Sequence, residues 1–161
     1  MIRQFLTQET CLKCQGCCRF KEEHSVWLPT LLNSEIELLL TQGLPQGMIS
    51  PDKKIQVAPF IKESLFLCSL FNSEENKCKI YQHRPLECQI YPFLLCRRDN
   101  KSYIAADPHC PAVEGKTNSL ELQGYVAYLT ELLQSPQYSE ALKNNPHVFQ
   151  AYQDVLLLTE I

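Results

Sequence analysis

Short apolar runs separated by polar turns fill the first two thirds of the chain. Residues 55–58 alternate apolar and polar side chains, and residues 65–71 form a nearly continuous apolar run, so both runs predict strands. Residues 93–97 and 103–106 predict two further strands, which would pair as a hairpin across the polar segment between them. This part of the chain therefore predicts a small core that contains short strands.

Helical signals mark one early segment and the whole C-terminal part. Ser34 as an N-cap, Glu37 as its capping-box partner and Gly43 after the last turn predict a helix. From about residue 117, apolar residues recur at roughly helical spacing. The Ser135-Pro136 step predicts the start of a second C-terminal helix. A similar Asn-Pro step predicts a last helix carrying Val148, Phe149, Tyr152, Val155 and Leu156.

The length of 161 residues predicts a single domain over residues 1–161, because one hydrophobic core of this size is stable alone. Within it we expect a core over residues 11–111 and a helical extension over residues 117–161. The extension has about 45 residues and would be marginal as a separate domain. We therefore predict that the C-terminal helices pack on the core.

Charge and hydropathy exclude several classes of protein. The formal charge of -3 and the lack of a basic run give no electrostatic reason to expect nucleic-acid binding. No run approaches 18 apolar residues, so no membrane-spanning helix is expected. The first residues lack the apolar core of a signal peptide, and we expect a cytoplasmic protein. Disulfides are disfavoured in that reducing compartment, and nine cysteines is an odd number.

Four of the nine cysteines fall within eight residues, in the run Cys11-x2-Cys14-x2-Cys17-Cys18. Thiolates so close repel one another unless they are protonated, oxidised or neutralised by a metal. Because disulfides are disfavoured, the run indicates a metal site. Neighbouring side chains usually point apart, so Cys18 is expected to serve a second site or to support the first.

The remaining cysteines supply candidate partners for this run. Cys68, Cys78 and Cys88 would provide the missing ligands for one or two centres. Cys96 lies in an apolar run and is better explained as a small buried hydrophobic residue. His109 adjoins Cys110 and could bind a metal, although such a residue more often donates a hydrogen bond or meets solvent. The other three histidines show no ligand spacing, and we interpret them as surface residues or as residues that support a ligand. The fold prediction is thus an α+β protein whose small, irregular, cysteine-rich metal-binding core has short strands packed against C-terminal helices.

The cysteine spacing is compatible with two kinds of metal centre. A C-x2-C pair with two remote cysteines is the usual ligand set of a structural zinc site. The C-x2-C-x2-C run with a remote Cys-Pro, here Cys110-Pro111, is similar to the ligands of bacterial ferredoxins. Since the candidate ligands are all sulfur, we favour an iron–sulfur cluster slightly over zinc.

The combined pattern resembles the YkgJ-type cysteine-cluster family, CxxCxxCC, which is described as chelating zinc or iron. The likeness rests on the N-terminal run, on Cys68, and on the segment 78–93, which reads C-K-I-Y-Q-H-R-P-L-E-C-Q-I-Y-P-F. Where members commonly have Arg after the last cysteine of that segment, this chain has Gln89. The resemblance implies metal binding by Cys11, Cys14, Cys17, Cys18, Cys68, Cys78, Cys88 and Cys110.

Arg84 precedes Pro85, which keeps Arg84 out of a helix and fixes the turn before Cys88. A guanidinium there would offset thiolate charge and support the ligands, although a plain surface arginine is equally compatible with the sequence.

Three functional hypotheses follow. The first is a metal-binding protein with a redox, assembly or accessory role. The second is a structural-zinc module that binds a protein partner not identified by the sequence. The third is a cluster-dependent enzyme related to protein methyltransferases, since a related cysteine cluster occurs in flagellin lysine N-methylases. No nucleotide-binding or acid–base motif supports catalysis.

Overall fold

The computed structural model describes residues 2–14 and 16–161, without the side chains of Gln8, Cys11 and Leu12. Helices and small antiparallel sheets occur together, which confirms the predicted α+β class. Across the described residues, no helix combines the length and apolar character that crossing a membrane requires.

The chain divides into two compact units. The first is Leu6–Gln89, which we call the N-terminal unit. The second is Ile90–Ile161 together with the first residues up to Phe5, which we call the C-terminal unit. That the two units act as one domain stays a prediction.

The N-terminal unit is built from short helices and strands. In chain order they are α1 (Gln8–Lys13), β1 (Arg19–Phe20), α2 (Asn33–Thr41), β2 (Val57–Phe60), β3 (Leu65–Cys68), β4 (Phe71–Asn72), β5 (Lys77–Cys78) and α3 (Leu86–Ile90). Antiparallel pairing gives a sheet of order β1-β3-β2 and a separate hairpin of β4 with β5. The strand predicted over residues 65–71 is therefore two strands separated by a turn.

Buried apolar side chains from β1, α2, β3 and the segments between the elements form the core of the N-terminal unit. The cluster consists of Phe20, Leu28, Leu31, Leu39, Ile49, Ile55, Cys68 and Leu70. Cys18, Phe71 and Ile80 are partly buried and pack against this cluster. The cysteine-bearing segments are thus held by the same core, because burial of apolar surface drives their association.

The C-terminal unit combines a three-stranded sheet with two helices. Its elements are β6 (Phe93–Arg98), β7 (Lys101–Ala106), α4 (Leu120–Gln134), α5 (Pro136–Asn144) and β8 (Leu156–Glu160). The sheet is antiparallel with the order β6-β7-β8, so the predicted hairpin of β6 and β7 is confirmed. Asp99 and Asn100 make its turn with φ of 51° and 61°, a conformation these two residue types tolerate.

The predicted last helix is wrong. Pro146–Val148 form one turn of 3-10 helix, and Leu156–Glu160 form β8. Leu156 pairs with Ala106 and Glu160 pairs with Tyr103 on β7. Pairing with a strand some 50 residues away decides the conformation here, which local periodicity does not encode.

The start of α2 also differs from the prediction. The N-cap is Leu32, not the predicted Ser34, and the helix begins at Asn33. The carboxylate of Glu35, not that of Glu37, accepts the hydrogen bond from the Leu32 N–H, at 2.8 Å. The glutamate half of the predicted capping box is therefore present two residues earlier than expected, whereas the N-cap side-chain bond is absent because leucine has no acceptor atom.

Candidate metal centre

The predicted ligands are divided between the two units. The side chain of Cys11 lies outside the described residues, and Cys110 belongs to the C-terminal unit, where it is buried. The other six lie in the N-terminal unit: Cys14, Cys17, Cys18, Cys68, Cys78 and Cys88. None of the cysteines whose side chains the structure describes is in a disulfide.

A tight turn shapes the N-terminal run after α1. The Cys14 N–H donates to Thr10 O at 3.0 Å, which carries the helical pattern one residue past α1. The Arg19 N–H then donates to Gly16 O at 3.1 Å. A Cβ atom at Gly16 would lie 3.4 Å from the Cys14 Sγ, which is at the limit of ordinary contact. Glycine at this position therefore leaves space beside the Cys14 sulfur.

Backbone pairing brings the run next to β3. The Cys68 N–H donates to Cys18 O at 3.0 Å, and the pairing continues between Arg19 and Leu67. Residues 50 positions apart are therefore neighbours because β1 and β3 are adjacent in the sheet.

Cys68 and Cys78 have the same local environment. Each cysteine ends a strand, and each thiol accepts a hydrogen bond from the backbone N–H two residues later, that of Leu70 or Ile80. Backbone N–H donors to sulfur stabilise the thiolate form and tune metal centres. The sequence signal is the shared pattern Cys-x-Leu and Cys-x-Ile, which the sequence analysis missed.

Cys17 and Cys18 have opposite acid–base properties. The Cys18 thiol donates a hydrogen bond to the Cys17 sulfur, which lowers the pKa of Cys17 to about 7. The positive charges of Arg84 and Arg19 lower the Cys17 pKa further. The same hydrogen bond, followed by burial, raises the pKa of Cys18 far above its usual range. At neutral pH, Cys17 therefore has substantial thiolate character while Cys18 stays protonated.

The other three thiols are held neutral. Burial raises the pKa of Cys68 to about 11 and raises the pKa values of Cys78 and Cys88 as well. Negative charge on neighbouring cysteines adds to each of these shifts, and Cys17 contributes to all three. Cys17, Cys18, Cys68, Cys78 and Cys88 thus lie within electrostatic reach of one another, and we call them the five-thiol group.

Two arginines add positive charge beside this group. Arg84 lowers the pKa of both Cys17 and Cys78, as a smaller effect than hydrogen bonding or burial. Its guanidinium donates to Tyr81 O at 3.1 Å and stacks 3.9 Å from the Tyr81 ring centroid. Arg19, which the sequence analysis did not select, lies 4.9 Å from the Phe71 ring centroid. Its position directly after Cys18 was the available signal.

The donor chemistry of the group fits a soft metal. Thiolate sulfur selects zinc, copper(I) and iron–sulfur clusters over hard cations such as magnesium and calcium. In the part of the chain that the structure describes, no three His, Cys, Asp or Glu side chains are arranged so that they could hold a metal ion. The fit therefore rests on the sulfur-only donor set and on the space at Gly16.

Cys96 and three of the histidines have the exposure that the sequence predicted. Cys96 on β6 is fully buried, as the sequence predicted, and that it binds no metal stays a prediction. His24, His83 and His109 are exposed. A groove of about 620 Å³ runs along α4 and β8 in the C-terminal unit, and its lining contains no cysteine or histidine.

A family model named CxxCxxCC, described as "Putative zinc- or iron-chelating domain", matches residues 10–111, which is more than half of the chain. No curated protein and no solved structure matches the chain.

Proposed function

The chain belongs to the CxxCxxCC family of zinc- or iron-chelating domains, and on this premise we propose that its cysteines bind an iron–sulfur cluster in a redox or assembly role. The observation that carries the proposal is the five-thiol group. Its sulfur atoms come from four separate segments of the sequence, at residues 17–18, 68, 78 and 88, and affect one another's ionisation. Iron–sulfur clusters are held by cysteine thiolates.

The surroundings of the thiols support this choice. The N–H groups of Leu70 and Ile80 donate to sulfur, and Arg84 and Arg19 supply positive charge near Cys17. Hydrogen bonds to sulfur and local charge set the reduction potential of a bound cluster. We propose that Cys14, Cys17, Cys68, Cys78 and Cys88 are the main ligand candidates, that Cys18 supports Cys17, and that Arg84 acts indirectly.

The contributions of Cys11 and Cys110 are proposed on the family pattern alone. Cys11 begins the CxxCxxCC run, and Cys110-Pro111 ends the residues that the family model matches.

Structural zinc is the second candidate. Cys14 and Cys17 have the C-x2-C spacing that is common in structural zinc sites, and glycine lies between them beside the Cys14 sulfur. In this case the metal would hold a surface that binds a protein partner.

The deciding experiment is purification without oxygen from cells supplied with ample iron. Thiolate-bound iron–sulfur clusters absorb visible light through charge transfer, whereas d¹⁰ zinc does not. We expect a brown protein that contains iron and acid-labile sulfide in comparable amounts. A colourless anaerobic preparation with stoichiometric zinc and no sulfide would refute the cluster. Zinc in an aerobic preparation decides nothing, because zinc outcompetes ferrous iron at vacated thiolates.

Two matched variants locate the site in the same preparation. Cys17→Ser should lose at least half of the bound metal, whereas Cys96→Ser should retain it, because Cys96 is a buried core residue of β6. Equal metal loss in both variants would contradict the assignment.

A further inference from the structure

Cys88 lies on a helix that cannot be stable by itself. α3 has only five residues, and isolated helices shorter than about 12 residues are marginal in water. The two residues before it are Arg84 and Pro85, which do not provide the Ser, Thr, Asp or Asn side chain that usually caps a helix. The position of Cys88 must therefore be set by contacts from elsewhere in the fold.

Glu35 provides the first of these contacts. Its Oε1 accepts a hydrogen bond from the Leu86 N–H at 2.6 Å, 51 residues away in sequence. Its Oε2 accepts from the Leu32 N–H at 2.8 Å. The Glu35 side chain therefore accepts from the first backbone N–H of α3 and also from the N-cap N–H of its own helix, α2.

Glu87 provides a second contact in the opposite direction. Its Oε2 accepts from the Thr30 N–H at 2.7 Å, 57 residues away. Glu87 is 8 % exposed and Thr30 is 1 % exposed, so the bond is shielded from water. Two hydrogen bonds between a glutamate side chain and a backbone N–H therefore join α3 to residues 30–35, one with its acceptor on each segment.

This arrangement is costly for the fold. Within the described chain, the Glu87 Oε1 and the Thr30 Oγ1 are buried without a hydrogen-bond partner. Lys54, which interacts electrostatically with Glu87, is also buried and is held by the Val26 carbonyl at 3.3 Å. Buried polar atoms without partners lower stability, although an apolar residue at position 87 would in turn leave the buried Thr30 N–H without an acceptor. The unpartnered atoms show that this pairing is not optimised for stability alone, and its direct effect is to place α3 beside residues 30–35.

We propose that Glu35 and Glu87 are positioning residues that orient Cys88 toward the other thiols, an inference that rests on the proposed metal-binding function. Consecutive helix residues point about 100° apart. With Glu87 bonded to Thr30, the Cys88 side chain leaves α3 about 100° around the helix axis from the side that contacts Thr30. The thiols with which Cys88 interacts electrostatically are Cys68, Cys17 and Cys78.

The test uses Co²⁺ as a probe of the anaerobic, reduced full chain. Thiolate-bound Co²⁺ absorbs in the near ultraviolet by sulfur-to-metal charge transfer, and the intensity per ion increases with the number of thiolates. Glu87→Leu removes the unpaired oxygen, but it also leaves the buried Thr30 N–H without an acceptor and removes the group that interacts with Lys54, so we expect a lower Tm in a chain that still folds. Its Co²⁺ affinity should fall about 10- to 100-fold, the usual effect of losing a residue that orients a ligand. The absorption per bound Co²⁺ should also fall.

Matched variants separate positioning from packing. Glu87→Gln keeps an oxygen that can accept from Thr30, so it should retain wild-type affinity and spectrum. Glu35→Gln keeps one of two acceptor oxygens and should show an intermediate loss, which tests the proposal even if Glu87→Leu does not fold. Glu37→Ala changes an exposed glutamate of the same helix, α2, and should have no effect.

Two outcomes would be decisive against the proposal. Wild-type affinity and absorption per Co²⁺ in Glu87→Leu and Glu35→Gln would refute the positioning role while leaving the metal site intact. A wild-type chain that shows no charge-transfer absorption with Co²⁺ would refute the thiolate site itself. A fall in Tm alone, with an unchanged spectrum, would assign the two residues a purely structural role.

Discussion

At the scale of single residues, the thiols of the five-thiol group are chemically unequal. Cys17 is exposed, and the hydrogen bond from Cys18 lowers its pKa to about 7. Cys68 is buried, and burial raises its pKa to about 11. Metal ligation requires thiolates, so a metal must displace a proton from each buried thiol. At neutral pH, Cys17 has already lost its proton in a substantial fraction of the molecules. Cys17 is therefore the thiol best prepared for the first contact with a metal.

Alkylation of reduced, metal-free protein should reveal this difference. Only the thiolate reacts, so the labelling rate of Cys17 by iodoacetamide should rise with pH and reach half its maximum at about pH 7. Cys68 should stay unlabelled until the pH approaches 11. Mass spectrometry of peptides from protein labelled at a series of pH values gives the labelling rates of Cys17 and Cys68.

Substitutions at Cys18 test whether its hydrogen bond lowers the pKa of Cys17. Cys18→Ala removes the hydrogen-bond donor, so the pKa of Cys17 should rise and its labelling at pH 7 should slow. Cys18→Ser retains a hydroxyl donor and should preserve fast labelling. If Cys17 in the wild-type chain reacts with the pH dependence of an ordinary thiol, half-maximal at about 8.5, the assigned hydrogen bond is wrong.

At the scale of elements, the hairpin of β4 and β5 determines where Cys78 lies. Its strands have two residues each, and Phe71 pairs with Cys78. So short a hairpin depends on its turn, which Asn72 stabilises: its Oδ1 accepts from the N–H groups of Glu74 at 3.0 Å and Glu75 at 3.3 Å. This is the local side-chain bonding that makes Asn frequent in turns.

Asn72→Ala should therefore weaken the hairpin. Loss of these two bonds should lower the free energy of unfolding by about 1 kcal/mol, the usual value for a partly exposed hydrogen bond. Urea denaturation gives the energy directly. Ser73→Ala, an exposed position of the same turn, is the matched control and should leave the stability unchanged. Equal stability of Asn72→Ala and wild type would show that the turn holds its shape without this side chain.

At the scale of the whole molecule, the proposed metal site and the larger sheet belong to different compact units. The five-thiol group lies in the N-terminal unit, whose strands have two to four residues. The C-terminal unit has six-residue strands in β6 and β7 and a 15-residue helix in α4. A metal that binds only the folded state, present at 100 times its Kd, raises the free energy of unfolding by about 2.7 kcal/mol.

Removal of the metal should consequently affect the two units differently. Chelation under reducing conditions should lower the thermal transition and abolish slow amide exchange in the N-terminal unit. The amides of β6 and β7 should remain protected, because the buried side chains of Phe93, Leu95 and Ile104 form a core there without the five-thiol group. Hydrogen exchange read by mass spectrometry locates the change. A stripped, reduced protein that keeps its full thermal transition would show that the fold is independent of metal.

The sequence by itself determined the features that depend on local chemistry. The spacing of Cys11, Cys14, Cys17 and Cys18 indicated metal and identified the family. Apolar alternation and turn residues predicted the hairpin of β6 and β7, and helical spacing predicted α4. These signals lie within a few residues of one another, so propensity and periodicity are sufficient to detect them.

Only the tertiary structure decided which distant groups meet. The bonds of Glu35 to Leu86 and of Glu87 to Thr30 span 51 and 57 residues, and the contact between Cys18 and Cys68 depends on the pairing of β1 with β3. The strand β8 replaced a predicted helix for the same reason, since β7 supplies its partners. Burial set the ionisation of Cys68 and Cys88, and burial exists only once the chain has folded.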